Sequence, residues 1–430
     1  MDDFEKAIIY SFDQSGGVND QLKAQALSYC EQAKHSPNII QACLEKLRVS
    51  QYAEVQFWCL QTLEEILKAR YVLMDVAERS FLQNAILGIM ASYGHDVDTS
   101  LEPRPIFVKN KLAQIIVILI CFDYPSGWPS VFLNLLSFAM KGPGEVEMFC
   151  RVLNTLDEEV ISLDYPRKPD EIATATRIKD AMRSQCVSQI VGTCYNLMMA
   201  YKGSRPHLAG MVLQTLQRCV AWIDINLVAN DTFIPIIFEF VTSPQESTEL
   251  RGAALDCLLA IVSKRMEASL KLSLLGQLQI GRICGPNMEK QGTELALKSS
   301  ALLTCFANEV LECHKKLPGG SSTGGTSAEE LLDAVLPSIF YYLQYGEEEI
   351  SSTTFQFFTN YVTAMKTIKF SGEKQAAHLT QILDAISKRM CYDPEDQECL
   401  DLPDNTGKEE EERMSEYRKD LLGLFRSIHR

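Results

Sequence analysis

Apolar positions recur along the chain at the three-to-four-residue spacing of one helix face, and clusters of turn-forming residues separate the periodic segments. The densest segment spans residues 107–136, FVKNKLAQIIVILICFDYPSGWPSVFLNLL. Lys109 and Lys111 open it, and residues 112–122 follow as an almost unbroken apolar run. A helix that is apolar on every side must be covered on both faces. At about a dozen residues the run is too short to cross a bilayer, which takes about 20. Asp123, Tyr124, Pro125, Ser126 and Gly127 end it, because Pro and Gly do not continue a helix. Trp128 and Pro129 restart a second amphipathic helix, with Pro in the first turn, where its missing N–H costs nothing. A buried helix and a covering helix joined by a tight turn make one layer of an α-solenoid.

Upstream, segments 22–30 and 39–48 pair around the turn Ser36-Pro37-Asn38. Segment 55–69 places Val55, Trp58, Cys59, Leu63, Ile66 and Leu67 on one face. Segment 80–90 follows, then a polar loop at 93–105 with Gly, Asp and two prolines. Downstream come helices at 146–159, one long helical segment at 172–201, and further helices at 208–220, 233–241, 250–264 and 294–313. Residues 319–327, GGSSTGGTS, read as a flexible low-complexity insert. Helices at 328–345, 355–366, 375–390 and 412–428 complete the chain. No alternating apolar–polar run bounded by turn residues predicts a strand. Helix pairs of roughly 40 residues match the period of HEAT-like arrays. The expected fold is all-α: a right-handed HEAT-repeat superhelix, an α-α solenoid of antiparallel helix pairs. The last segment, RKDLLGLFRSIHR, is amphipathic and carries no capping signal, whereas a solenoid needs a polar terminal cap. It therefore reads as a superhelix truncated at its C-terminal end, the alternative being a frayed terminal helix.

Composition narrows the function. The chain has 430 residues, 46% of them hydrophobic, enough for a large core. Its net charge of −15 argues against an indiscriminate nucleic-acid binder but leaves room for a local basic surface. The start, MDDFEKAIIYSF, has acid where a secretory signal has base, so no targeting peptide is read there. The 14 cysteines are scattered, mostly among apolar neighbours (Cys59, Cys121, Cys194, Cys257, Cys305), the pattern of reduced thiols in an intracellular protein.

Candidate chemistry mostly fails on spacing. His35, His95, His207, His314, His378 and His429 are far apart, and Cys305, Cys313 and His314 do not form a zinc pattern. The glycine spacing of GQLQIG at 276–281 continues into Arg282-Ile283 where a phosphate loop has Lys-Ser/Thr, and the 319–327 insert also lacks the lysine. Asn230-Asp231-Thr232 fits a glycosylation acceptor only by coincidence in a chain with no secretory route. No GxSxG is present. The sequence offers no catalytic residue, no metal ligands and no cofactor site, so a binding protein is expected and not an enzyme.

Two charged features remain. Arg167, Lys168, Arg177, Lys179, Arg183, Lys202 and Arg205 concentrate base in an acidic chain, and Lys179 and Arg183 are i,i+4 neighbours on one helix face. They are either a solvated helix surface or a track for phosphates. Residues 401–412, DLPDNTGKEEEE, read as a Pro/Gly-punctuated acidic loop before a helix. That loop either complements the following helix dipole or docks a basic partner.

Several blocks together carry a family resemblance. They are VKNKLAQ with the P-x-x-W turn at Pro125 and Trp128, IKDAMRSQCV, AWIDINLVANDTF, LRGAALDCLLAIVSKRM and EYRKDLLGLF. With SLDYPRKPDEI and VQFWCLQTLEEIL added, the chain resembles the N-terminal region of the importin-β/exportin superfamily, and within it the tRNA exportins in their plant form. It departs in being much shorter than family members and in carrying the glycine-rich insert. The resemblance implies importin-β-like, Ran-facing repeats over 1–105, exportin-1-like repeats over 106–266, and further repeats over 267–430 with the insert and the acidic loop. It implies a monomeric receptor, without membrane insertion, that shuttles between nucleus and cytoplasm. Such a receptor binds the GTPase Ran in its GTP form together with tRNA, touches nuclear pore proteins, and releases its cargo after GTP hydrolysis on Ran. Carried residue by residue, it points Gln56, Lys68, Lys109, Asn110, Glu409, Glu410, Glu411 and Glu412 toward Ran. It points the basic residues from Arg167 to Arg205 toward tRNA, and leaves Trp128 to packing. A receptor for protein cargo and a Ran-independent helical scaffold share the same periodicity.

Overall fold

The computed structural model describes residues 1–94, 104–162, 164–282, 292–317, 327–365, 372–390 and 405–429. Among these residues there is no strand. The chain forms two compact units, Met1–Ile223 and Asp224–Arg430. In each, helices joined by short turns pack side by side, and so run antiparallel.

The first unit opens with α1, Asp3–Phe12, ahead of the first helix the periodicity predicts. A capping box starts it: Asp2 Oδ1 accepts from the Glu5 N–H at 2.9 Å, and the Asp2 N–H donates back to Glu5 at 3.2 Å. Then follow α2 (Asp20–Lys34), α3 (Ile39–Val49), α4 (Ala53–Arg70) and α5 (Val76–Gly94). The expected loop from residue 93 starts later, since Tyr93 and Gly94 are buried in the end of α5; residues 95–103 lie outside the described residues.

The apolar run is α6, Ile106–Asp123. Val108, Leu112, Ala113, Ile115, Ile116, Leu119 and Ile120 are all fully enclosed. Each large aliphatic side chain so buried contributes about 1.5–3 kcal/mol before the cost of ordering the chain. The expected pairing partner is different, however. Alpha-helix α7, Val131–Ala139, is not the main cover of α6; α6 packs chiefly on α4 and on α8, Pro143–Leu156. Pro129 also lies outside α7, just before its N-cap Ser130.

The turn between α6 and α7 is tied to Asp123, whose carbonyl accepts from the N–H groups of Gly127 (2.7 Å) and Trp128 (3.2 Å). Trp128 is buried, as its assignment to packing requires. A Cβ on Gly127 would stand 3.0 Å from the Asp123 side chain, so any other residue there would press on that carboxylate.

A π-helical turn, Asp157–Ile161, extends α8. The long segment expected at 172–201 is two helices, α9 (Pro169–Gln185) and α10 (Val187–Tyr201). They part at Cys186, a buried residue that no Pro or Gly marks. The last helix of the unit is α11, Pro206–Val220, laid against α10 and α8. Proline occupies the first turn of α8, α9 and α11, where no N–H partner is lost.

The second unit comprises α12 (Phe233–Thr242), α13 (Thr248–Ser263), α14 (Ala268–Leu278), α15 (Thr293–Lys316), α16 (Ala328–Leu343), α17 (Glu348–Ser352), α18 (Phe355–Met365), α19 (Gly372–Arg389) and α20 (Asn405–His429). The sequence pattern did not mark α14 or α17. GQLQIG is no phosphate loop: Gly276 lies inside α14, which stops at Gln279 in a left-handed conformation (φ 49°). Asn230 has a capping role: its side-chain oxygen accepts from the N–H groups of Thr232 (2.9 Å) and Phe233 (3.0 Å) at the start of α12. The long α15 is the centre of the unit and packs on α13, α14, α16, α17 and α18. The buried ammonium of Lys271 on α14 is satisfied by the Lys264 carbonyl (2.6 Å) and by Glu309 of α15 (3.2 Å).

The acidic stretch expected as a loop is a correction. Helix α20 begins at Asn405, so Glu409, Glu410, Glu411 and Glu412 stand in its first turns. Residues 401–404 lie outside the described residues, as do 318–326 of the glycine-rich insert; Ser327 caps α16.

Two predictions follow from this packing. Replacing Ile116 by Asp buries an unpaired carboxylate between α4 and α8 and costs several kcal/mol. Thermal unfolding should show a large drop in Tm, and an unchanged Tm would contradict the placement of α6. The second concerns Asp157. Burial pushes its carboxyl up to about 6, with Glu158 adding to the rise and Arg218, 3.8 Å away, opposing it. Between the ordinary value of 3.8 and about 6 the native state holds a proton that the unfolded chain has released. Stability from this group therefore falls as pH rises through that window, and the cost is complete above it. Asp157→Asn should raise Tm above about pH 7 and change it little near pH 4. An equal effect at both pH values would contradict the assignment.

Candidate functional site

Along α4, α6 and α8, which pack in succession, polar side chains lace neighbouring helices together. Lys68 of α4 pairs with Glu64 at 2.7 Å, and Lys111 of α6 reaches the same carboxylate. Lys109 of α6 pairs with Glu147 of α8 at 3.1 Å. Arg151 also holds Glu147, at 2.6 Å, and donates to Asn110 Oδ1 at 2.6 Å. Gln114 of α6 donates to Glu159 at 2.7 Å. Burial alone would raise the Glu64 and Glu147 carboxyls. Hydrogen bonds from Lys111 and Lys68, and from Arg151 and Lys109, carry both below the ordinary glutamate value.

This network relocates part of the Ran-directed set. Gln56 is buried and donates to the Ser50 carbonyl at 2.6 Å, at the end of α3, so it is a packing residue. Lys109 is likewise buried, its charge spent on Glu147. Both side chains turn inward onto groups of the same chain, Gln56 onto the cap of α3 and Lys109 onto α8. Lys68 and Asn110 are exposed, although each has an intramolecular partner. Glu412 is exposed on α20.

The basic set divides in the same way. The Arg167 guanidinium clamps the carbonyls of Glu158 (2.9 Å), Ser162 (2.9 Å) and Glu159, closing the end of the π-helical turn. Arg177 donates to the Cys121 carbonyl near the end of α6. Arg183 pairs with Asp180 at 2.8 Å, donates to the Trp222 carbonyl at 2.8 Å, and lies over the indole. Lys168 and Arg205 are exposed and Lys179 is half-exposed. Lys202 is half-exposed at the end of α10. Arg183 and Arg205 lie beyond opposite ends of α10, about 20 Å apart along its axis. Arg183 and Arg205 thus belong to separate parts of the surface. Arg167 and Lys168 also neighbour Glu158, Glu159, Asp164, Asp170 and Glu171 in the chain, which weakens that end as a phosphate site.

Sequence reasoning missed two features. The first is a buried polar hub at the end of α6. Asp123 Oδ2 accepts from Tyr71 (2.5 Å) and from Gln83 (2.6 Å), while Arg79 faces Oδ1 at 3.4 Å. Burial, then the Asp123 carboxylate, holds the Tyr71 phenol well above its ordinary value. An acidic residue closing a fully apolar helix was the available signal. The second is an aromatic row in which Phe57 meets Phe12 (6.5 Å) and Phe107 (5.5 Å) edge to face, with Phe107 and Ile106 open to solvent. Its spacing crosses three helices, so no single periodic segment reveals it.

Among the described residues no group of three or more His, Cys, Asp or Glu could hold a metal ion. The described cysteines are free, and burial pushes the thiols of Cys121 up to about 11 and of Cys150 up to about 12, away from the reactive thiolate. No described helix is long and apolar enough to cross a membrane.

Comparisons with known proteins bear on the whole chain. Residues 105–258 match a family model described as Exportin 1-like protein. Over its full length the chain is 46% identical to Exportin-T of Arabidopsis thaliana and 39% identical to Exportin-T of Oryza sativa subsp. japonica, spanning 43% of each. Over 95% of its length it is 27% identical to Exportin-T of Homo sapiens, spanning 42% of that protein. The chain therefore spans less than half the length of the curated relatives it matches. A crystal structure of importin beta covers 99% of this chain, and 46% of its own length is matched, with a TM-score of 0.58 at 12% identity. That likeness is one of fold, an all-α HEAT-repeat solenoid.

The division between buried and exposed cations predicts unequal mutants. Lys109→Met leaves Glu147 with one cation in a half-buried site and should cost about 1–3 kcal/mol. Lys68→Ala removes an exposed pair and should cost about 0–1 kcal/mol. Denaturant titration reads both, and equal losses would contradict the assignment of Lys109 to packing.

Proposed function

We propose that this chain, a relative of exportin-T along its whole length, is part of a nuclear export receptor that binds tRNA together with RanGTP in the nucleus. Cargo release then follows GTP hydrolysis on Ran in the cytoplasm, and the receptor shuttles between the two compartments, touching nuclear pore proteins on the way. The observation that carries this reading is the 46% identity to Exportin-T in a match that spans the full length of the chain, on a solenoid fold.

Physical features support it. Successive helix pairs offer extended surface, which suits a receptor that holds macromolecules. Folded RNA is recognised by shape and phosphate contact, which needs scattered cations more than a base-reading site. In this reading the repeats over 1–105 face Ran, with Lys68 on them and Asn110 just past them at the surface, and the acidic run 409–412 meets a basic partner. Lys179, Arg205, Lys168 and Lys202 meet tRNA phosphates, and the unbonded N–H groups of Arg183 assist. Arg177 acts by fixing α9 to the end of α6, and Arg167 by fixing the segment before α9 to the π-helical turn.

The test uses the intact protein, Ran locked in its GTP form, and labelled tRNA. Retention of tRNA should require GTP-bound Ran and fail with the GDP form. Ran binding without tRNA binding would indicate protein cargo, and binding of neither would indicate a scaffold. A Lys179→Ala, Arg183→Ala double variant should bind tRNA more weakly. Each lost phosphate contact should lower the slope of log K against log salt by about 0.7–0.9, with cargo-free RanGTP binding unchanged. If affinity and slope both persist, those side chains are a solvated helix face.

A further inference from the structure

No further inference is drawn: the strongest candidate, the exposed apolar knuckle of Val72, Leu73 and Val76 between α4 and α5 with the groove of about 410 Å³ beside it lined by Pro37, Ile40, Met74 and Phe81, carries nothing because nothing in the structure shows what covers it.

Discussion

A helix that is apolar on all sides has no face to give to water, and the unit Met1–Ile223 is built around covering Ile106–Asp123. α4 lies along one side and α8 along another, and the enclosed aliphatic row supplies the adhesion. Burial of that kind has no direction, so something else must fix how the helices meet. Asp123 does this at one end. Its carboxylate collects Tyr71 from the end of α4 and Gln83 and Arg79 from α5, while its carbonyl holds the turn that follows. A buried carboxylate with its hydrogen bonds filled specifies one arrangement, because any other would leave the charge unmet.

The same logic governs the cations on this scaffold. In a chain of net charge −15, a lysine or arginine has many carboxylates and helix-end carbonyls to choose from. Lys109 takes Glu147, Arg167 takes three carbonyls, and Arg177 takes the carbonyl of Cys121. Charges engaged in this way hold helices and are costly to withdraw. Others, such as Lys179 and Arg205, stand at least partly open to solvent and can change partners without breaking the fold. A receptor built from repeats needs both kinds, since its partner surface is only as fixed as the stacking beneath it.

Much of this was legible in the sequence. The unbroken apolar run placed α6 and its burial, and the helical period with Pro and Gly turns placed most other helices. Periodicity shows which face of a helix is apolar, but not which neighbour covers it. Hence α7 was expected over α6, where α8 and α4 lie, and Gln56 and Lys109 were expected at a partner surface when they face adjacent helices. The break at Cys186 has no helix-breaking residue to announce it and depends on tertiary packing. Gly407 and Pro403 suggested a loop through residue 412, yet glutamate is a good helix former. α20 accordingly starts at Asn405. The candidate partner residues were legible only as charges, because exposure and intramolecular pairing are properties of the folded chain.

In the proposed function, a core packed around α6 carries separate surfaces on α4 and α9 that would face Ran and tRNA. Hydrogen–deuterium exchange of the intact protein, free and with GTP-bound Ran plus tRNA, tests it most directly. The account predicts slow exchange in α6 in both states, with new protection on partner addition around Lys68 and along residues 168–183. Fast exchange in α6 of the free protein, or protection that bypasses both surfaces when Ran and tRNA are bound, would contradict it.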